Sequence, residues 1–179
     1  MKILLVIQIL AIIFSVTIPE SIRRKDRQIT DKQKIAEFLD EQKIIRIGYH
    51  DKVNDEVYIV PINYGYKIEN EDYIFYMHGG QKGRRYELAK EEPNVGFEID
   101  GDYELVPGEL ACQHTAKYKS IIGNGKIQLV NDIEEKKAAM DIIMKHTTGK
   151  SGFEYNPKML EKLGIYKLTA TKLTCKANL

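Results

Sequence analysis

Tryptophan is absent from this 179-residue chain, and cysteine, histidine and proline are scarce, with two, four and five copies. The two cysteines, Cys112 and Cys175, lie far apart, so the sequence offers neither a disulfide framework nor a CxxC pair. Four histidines with no tight Cys/His cluster give no spacing that fits a structural zinc ion. Charge of one sign is missing too: 27 basic and 26 acidic residues leave a net charge of +1, with no overall field to draw in nucleic acid. Long apolar runs are missing except at the start. Lys2 precedes an apolar stretch from Ile3 to Phe14, broken only by Gln8, which is short against the roughly 20 residues a membrane span needs. It has the shape of a secretory signal, yet no small-x-small cleavage site follows it. Three readings of residues 1–21 therefore stand: an extension upstream of the true start, an export signal or anchor, or a segment packed on the folded body. Membrane contact is expected only if this segment is an anchor. The low cysteine content suits a reducing compartment, so the expected location is cytoplasmic, with export as the alternative.

What is present is ordinary globular composition, 43% hydrophobic and 30% charged. Residues 22–179 suffice for one domain, large enough to bury roughly 70% of its unfolded surface without a staple. Thr30 and Asp31 can cap a helix over 32–42, with Ile35, Phe38 and Leu39 on one face. The period then switches to two: Ile45, Ile47 and Tyr49 alternate with polar or small residues. A second strand is predicted over 57–66, with Pro61 forcing an edge, a bulge or a site, and a third over 73–78. These three form an antiparallel meander. A helix over 83–91 and a strand over 94–100 follow. A long strand over 117–130 is bent at Gly123 and Gly125. A helix from Asp132 to His146 should bury Ile133, Met140, Ile143 and Met144. A short helix over 157–163 and a strand over 165–176 complete the chain. Consecutive strands without intervening helices exclude a doubly wound parallel sheet and point to an antiparallel β-barrel with helices outside it.

One stretch suits an anion. After the third strand ends at His78, Gly79 and Gly80 let the backbone turn, and a helix begins among Lys82, Gly83, Arg84 and Arg85. A helix start presents free N–H groups and a positive dipole end, and nearby cations add full charge, which fits a phosphate. The same residues also fit a solvated loop, since the Gly-Lys-Ser/Thr ending of a Walker loop is absent. His78 is either a hydrogen-bonded structural residue or a proton donor over a ligand. Lys117, Tyr118, Lys119 and Ser120 offer cations, a hydroxyl and an aromatic ring, or simply a solvated strand edge. Cys112, Gln113 and His114 have no acid partner placed by spacing and read as non-catalytic. The 11 tyrosines spread along strands, which fits barrel packing better than base stacking.

Taken in order, several pieces resemble the FMN-binding split-barrel proteins related to pyridoxamine 5′-phosphate oxidase, within them the nitroimidazole-resistance proteins. They are Arg23 to Arg27, Val60 to Tyr66, Tyr76 to Gly80 with Gly83-Arg84-Arg85, and Asn94 to Asp100. Further on come Ala111-Cys112, Tyr118 to Lys126 and Ile142 to His146. The resemblance runs from about Ile22 to the C-terminus. It implies a six- or seven-stranded antiparallel split barrel, mainly β with peripheral helices, that forms a homodimer with FMN in a groove between subunits. It implies that Val60, Pro61, Ile62 and Asn63 lie along the flavin ring. Lys82, Gly83, Arg84 and Arg85, with Tyr118, Lys119 and Ser120, become the candidate cofactor-binding residues, and His78 both a cofactor contact and the candidate catalytic residue. No metal is implied. The implied activity is electron transfer from reduced FMN to a small oxidised acceptor such as a nitroimidazole; the alternative is a flavin- or haem-binding carrier or sensor without turnover. Residues before Ile22 have no counterpart, and His114 and Thr115 stand where smaller or aromatic residues are expected.

Overall fold

The computed structural model describes residues 22–179 apart from Glu92; the three readings of residues 1–21 fall outside the described residues. A short 3₁₀ turn, Lys25–Arg27, leads into β1 (Gln28–Ile29) and α1 (Lys32–Glu41). Asp31 caps α1, its carboxylate accepting from the amides of Gln33 and Lys34 at 2.9 and 3.2 Å. Ile35, Phe38 and Leu39 are buried on the inner face. Four strands follow: β2 (Ile44–Asp51), β3 (Glu56–Asn63), β4 (Gly65–Glu69) and β5 (Asp72–Gly80). After α2 (Arg84–Glu91) come β6 (Asn94–Val106), β7 (Thr115–Val130), α3 (Ile133–Thr148), α4 (Pro157–Glu161) and β8 (Leu163–Asn178). The sheet is antiparallel, in the order β3-β2-β6-β7-β8-β5-β4, with the two-residue β1 added on β8.

The predicted meander is corrected at one point. The stretch over 57–66 is two strands, broken at Tyr64. β3 pairs with β2 at one edge of the sheet, and β4 pairs with β5 at the other. Tyr64 is fully buried, and its hydroxyl donates to the Leu39 carbonyl at 2.8 Å. Gly65 follows where α3 presses closest: a Cβ there would lie 2.6 Å from the Ile142 carbonyl oxygen. With one residue between β3 and β4, the two edges of the sheet must meet at that corner. The sheet therefore rolls into a split barrel, although its edge strands share no ladder. Pro61 sits in edge strand β3, where its missing N–H costs no ladder bond.

The bend expected in β7 is present. A side chain at Gly123 would collide with the Phe97 ring and the Lys172 carbonyl, and the β7–β8 register shifts between Asn124 and Gly125. β6 continues past the expected end at Asp100, through a bulge between Gly101 and Glu104, to make a long hairpin arm with β7. Inside the barrel, Ile45, Ile47, Tyr49, Phe75, Met77, Phe97, Ile121 and Leu168 form one apolar cluster. A second cluster lies under α3: Ala139, Met140 and Ile143 pack on Ile74, Tyr76 and Ile165. Each such large side chain contributes about 1.5–3 kcal/mol by leaving water. Of the predicted α3 face, Met140 and Ile143 are buried and Met144 is half-buried. Ile133, on the first turn, stays exposed, and Ala139 takes its place.

Candidate functional site

The end of β5 is built by alternation. Phe75 and Met77 enter the core, and His78 lies on the outer face, exposed at its edge and partly covered by its neighbours. Gly79 then pairs with Gly164, and Gly80 with Leu163. The turn that follows is anchored by Gln81, whose amide donates to the carbonyls of Glu161 and Leu163 at 2.8 and 3.1 Å. Gly83 adopts φ +94°, a left-handed conformation that favours glycine, and its carbonyl accepts from the amides of Tyr86 and Glu87. Of the first four amides of α2, those of Tyr86 and Glu87 are thereby satisfied, and those of Arg84 and Arg85 have no acceptor among the described residues.

The three cations of this turn have different fates. Arg85 folds back over β5. Its guanidinium lies 4.6 Å from the Tyr166 ring centroid and occupies the space that a Cβ on Gly79 would fill. Tyr166 in turn donates to the Gly80 carbonyl at 3.1 Å. Arg84 turns the other way. Its Nε and Nη2 donate to Asp51 at 2.9 and 2.6 Å, Nη2 also reaches Glu56, and the guanidinium lies 4.6 Å over the Tyr58 ring. Asp51, at the end of β2, is only 4% exposed. Hydrogen bonds from the Asn54 side chain and from Arg84 hold its carboxyl down at about 2. Lys82 is exposed and has no ion pair among the described residues. Partial burial, and secondarily the Arg85 charge, push the His78 imidazole below its ordinary value, so it is neutral at physiological pH.

The second candidate group lies elsewhere. Lys119 on β7 forms ion pairs with Glu41 at 3.1 Å and Asp102 at 2.8 Å and lies 5.7 Å over the Phe38 ring. Both carboxylates hold its ammonium pKa above the ordinary value. The Tyr118 hydroxyl accepts from Arg27 at 3.2 Å, and Ser120 pairs with Asp100 and Lys176 in the ladder. Glu41 lies just before β2, whereas Asp51 closes it. Eight residues of strand separate those ends by about 20 Å. Within one chain, therefore, the Lys82–Arg85 turn and the Tyr118–Ser120 segment do not converge on one ligand.

β3 carries the remaining candidates. Val60 and Ile62 are half-buried against the barrel core, while Pro61 and Asn63 are exposed. Asn63 donates to the Lys43 carbonyl at 3.0 Å. On the same outward face Val57 and Ile59 are 68% and 61% exposed, along a strand with no partner on its outer edge. Cys112 is exposed in a 3₁₀ turn, His114 contacts the Leu110 carbonyl, and Cys175 is buried with its thiol pKa raised by burial. Among the described residues no three His, Cys, Asp or Glu side chains converge as a metal site. No described helix is long and apolar enough to cross a membrane. Sequence reasoning missed Asp51, Glu56 and Tyr166, the groups that fix the two arginines. The only local signal was an acid at a strand end followed by a turn.

The sequence profile of the pyridoxamine 5′-phosphate oxidase family matches residues 31–177. Among solved structures, a Bacteroides thetaiotaomicron protein provisionally assigned to 5-nitroimidazole antibiotic resistance aligns with a TM-score of 0.72 at 29% identity. The alignment covers 84% of this chain and 86% of that one. Flavocytochrome Anf3 from Azotobacter vinelandii aligns with a TM-score of 0.72 at 16% identity, over 89% of this chain and 72% of its own. An FAD and haem binding protein from Mycobacterium smegmatis gives 0.71 at 12%, over 85% and 73%. At those last identities the likeness is one of fold. No curated protein matches the chain. The profile spans the barrel from the cap of α1 to the end of β8, and the chain belongs to the pyridoxamine 5′-phosphate oxidase family.

Proposed function

We propose that the protein is an FMN-dependent oxidoreductase that works as a homodimer and reduces a small oxidised acceptor of the nitroaromatic type. The observation that carries the reading is the turn after β5, where Lys82, without an ion pair among the described residues, stands beside the free amides of Arg84 and Arg85 at the start of α2. The donor set suits a phosphate: one exposed cation, two backbone N–H groups and a helix N-terminus. The exposed Pro61 and its neighbours on β3 offer a flat apolar strand for the flavin ring. FMN, when bound, supplies the electron chemistry; the chain's own residues bind, orient and exclude water.

Two features support the dimer. Val57 and Ile59 leave apolar surface open on an edge with no strand partner among the described residues, and such surface favours burial against a partner. Lys119 can share a ligand with Lys82 only if it comes from a second copy, because one chain holds them at opposite ends of β2. The choice of acceptor rests on the similarity to the Bacteroides protein.

His78 is proposed to meet the acceptor. As a proton donor it acts through its protonated form, so the His78-dependent part of the rate should rise as pH falls, at a lower pH than an ordinary imidazole would give. The absorbance spectrum of the purified protein is the first test, with flavin bands expected at roughly 370 and 450 nm. A Soret band would replace the reading with a haem-binding one. Light scattering should return about twice the 20.6 kDa chain mass; a monomer at micromolar concentration would end the shared-site proposal. Reduced wild-type protein should reduce a nitroimidazole faster than free reduced FMN does, and equal rates would leave only a binding module.

A further inference from the structure

A cavity of about 600 Å³ opens between the C-terminal ends of α1 and α3 along edge strand β4. None of its lining residues belongs to the proposed FMN set. Tyr66, Ile68 and Ile142 form an apolar wall, on which Ile68 is left 42% exposed. Lys43, Lys67 and Lys145 also line it. The wall is rigid. The His146 ring packs 4.6 Å from the Tyr64 ring and 5.7 Å from Tyr66, and its two nitrogens lie 2.6 and 2.9 Å from the carbonyls of Tyr64 and Leu39. With both nitrogens engaged, His146 is structural rather than a ligand-binding group.

The charges around the cavity are unequally satisfied. Asp40 accepts from the Tyr66 hydroxyl at 2.9 Å, and Lys67 is paired with Glu69 at 2.9 Å. Lys43 is pinned by the carbonyls of Asp40 and His146 at 2.6 and 2.9 Å, leaving one of its three N–H groups to point elsewhere. Lys145, on the last turn of α3, has no ion pair among the described residues. A fixed ammonium and an unpaired one thus share with an apolar wall a space large enough for a two-ring molecule. We propose that this cavity binds a small organic anion, a carboxylate or sulfonate on an apolar body. The anionic group would lie between Lys43 and Lys145, and the body against Tyr66, Ile68 and Ile142. The site is complete within one chain and does not depend on the flavin reading.

The test uses 1-anilinonaphthalene-8-sulfonate as probe, titrated into the full chain with and without saturating FMN and followed by amide chemical shifts. Shifts centred on residues 66–68 and 142–146 are expected in both states. Lys145→Glu should weaken binding about tenfold or more, whereas Lys145→Arg should retain it. Lys82→Ala should leave it unchanged. Shifts centred on Val57 and Ile59, loss of the shifts when FMN is added, or indifference to Lys145→Glu would each overturn the proposal.

Discussion

The two ends of β2 hold cations in opposite ways. At the Asp51 end the carboxylate is the buried partner, and Arg84, with its side chain 37% exposed, reaches in to it. At the other end Lys119 is the better covered partner, 24% exposed, and its carboxylates Glu41 and Asp102 are the exposed ones, at 52% and 41%. The asymmetry decides which cation is free to serve a ligand. Were Arg84 to leave, Asp51 would keep its bonds from Val53 and Asn54 but lose the Arg84 charge, which is unfavourable for a carboxylate only 4% exposed. Lys119 can exchange two solvated carboxylates for a phosphate at little cost, because exposed pairs are weak and screened. Arg84 ties the start of α2 to the β2–β3 turn, and we infer that it acts as a strut rather than as the phosphate ligand that its position in the sequence suggests.

Breaking each end should separate these roles. The largest effect is expected on cofactor binding: Lys82→Ala and Lys119→Ala should each weaken FMN about 10- to 100-fold, one or two units of charge-assisted contact at 1.4 kcal/mol per tenfold. Flavin titration checks this, and an Arg84→Ala loss greater than theirs at full folding would reverse the assignment. Next in size is stability. Arg84→Ala should lower the thermal midpoint on the order of 5 °C, and Lys119→Ala should barely move it. Calorimetry showing equal shifts would erase the distinction between the ends.

A smaller effect concerns acid. The Asp51 carboxyl is held at about 2, below its unfolded value near 3.8, so its contribution is present above about pH 4 and is lost as pH falls toward 2. Asp51→Asn should flatten the acid limb of the stability curve over that interval. The smallest effect is expected at Gly79. In Gly79→Ala the added methyl displaces the Arg85 guanidinium, so the imidazole pKa of His78 should rise in an NMR titration. No rise would mean that burial alone sets it.

Much of this architecture can be read along the chain, because its causes are local. Asp31 and Asp132 cap helices that begin at the next residue, each accepting from an amide three residues on. The alternation of Ile45, Ile47 and Tyr49 marks a half-buried strand, and Pro61 marks an edge. The break at Tyr64 is different. Tyr64 and Tyr66 continue a strand-like pattern, and the chain turns there only because α3, some 80 residues later, packs on Gly65. The 100–102 segment, Asp100-Gly101-Asp102, looks like a strand end. Pairing with β7 carries β6 through it as a bulge, with Asp102 at φ +58°. At the site, the glycine turn and its cations were legible as a group. Their division into strut, stack and free ammonium was not, since it depends on Asp51, Glu56 and Tyr166, which lie 33, 28 and 81 residues away from the arginines they hold.

The corner at Tyr64 also bears on how the chain reaches its native state. The hairpins β2–β3 and β4–β5 are local and can zip early, yet the single residue between them holds them at opposite margins of the sheet. Neither finds its inner neighbour until later strands exist: β2 waits for β6, and β5 waits for β8, almost ninety residues further on. Closing such long loops is slow, so stopped-flow refolding should show early hairpin signals followed by a rate-limiting arrival of β8. The strand that lines the proposed flavin site would then be shaped first and fixed in place last.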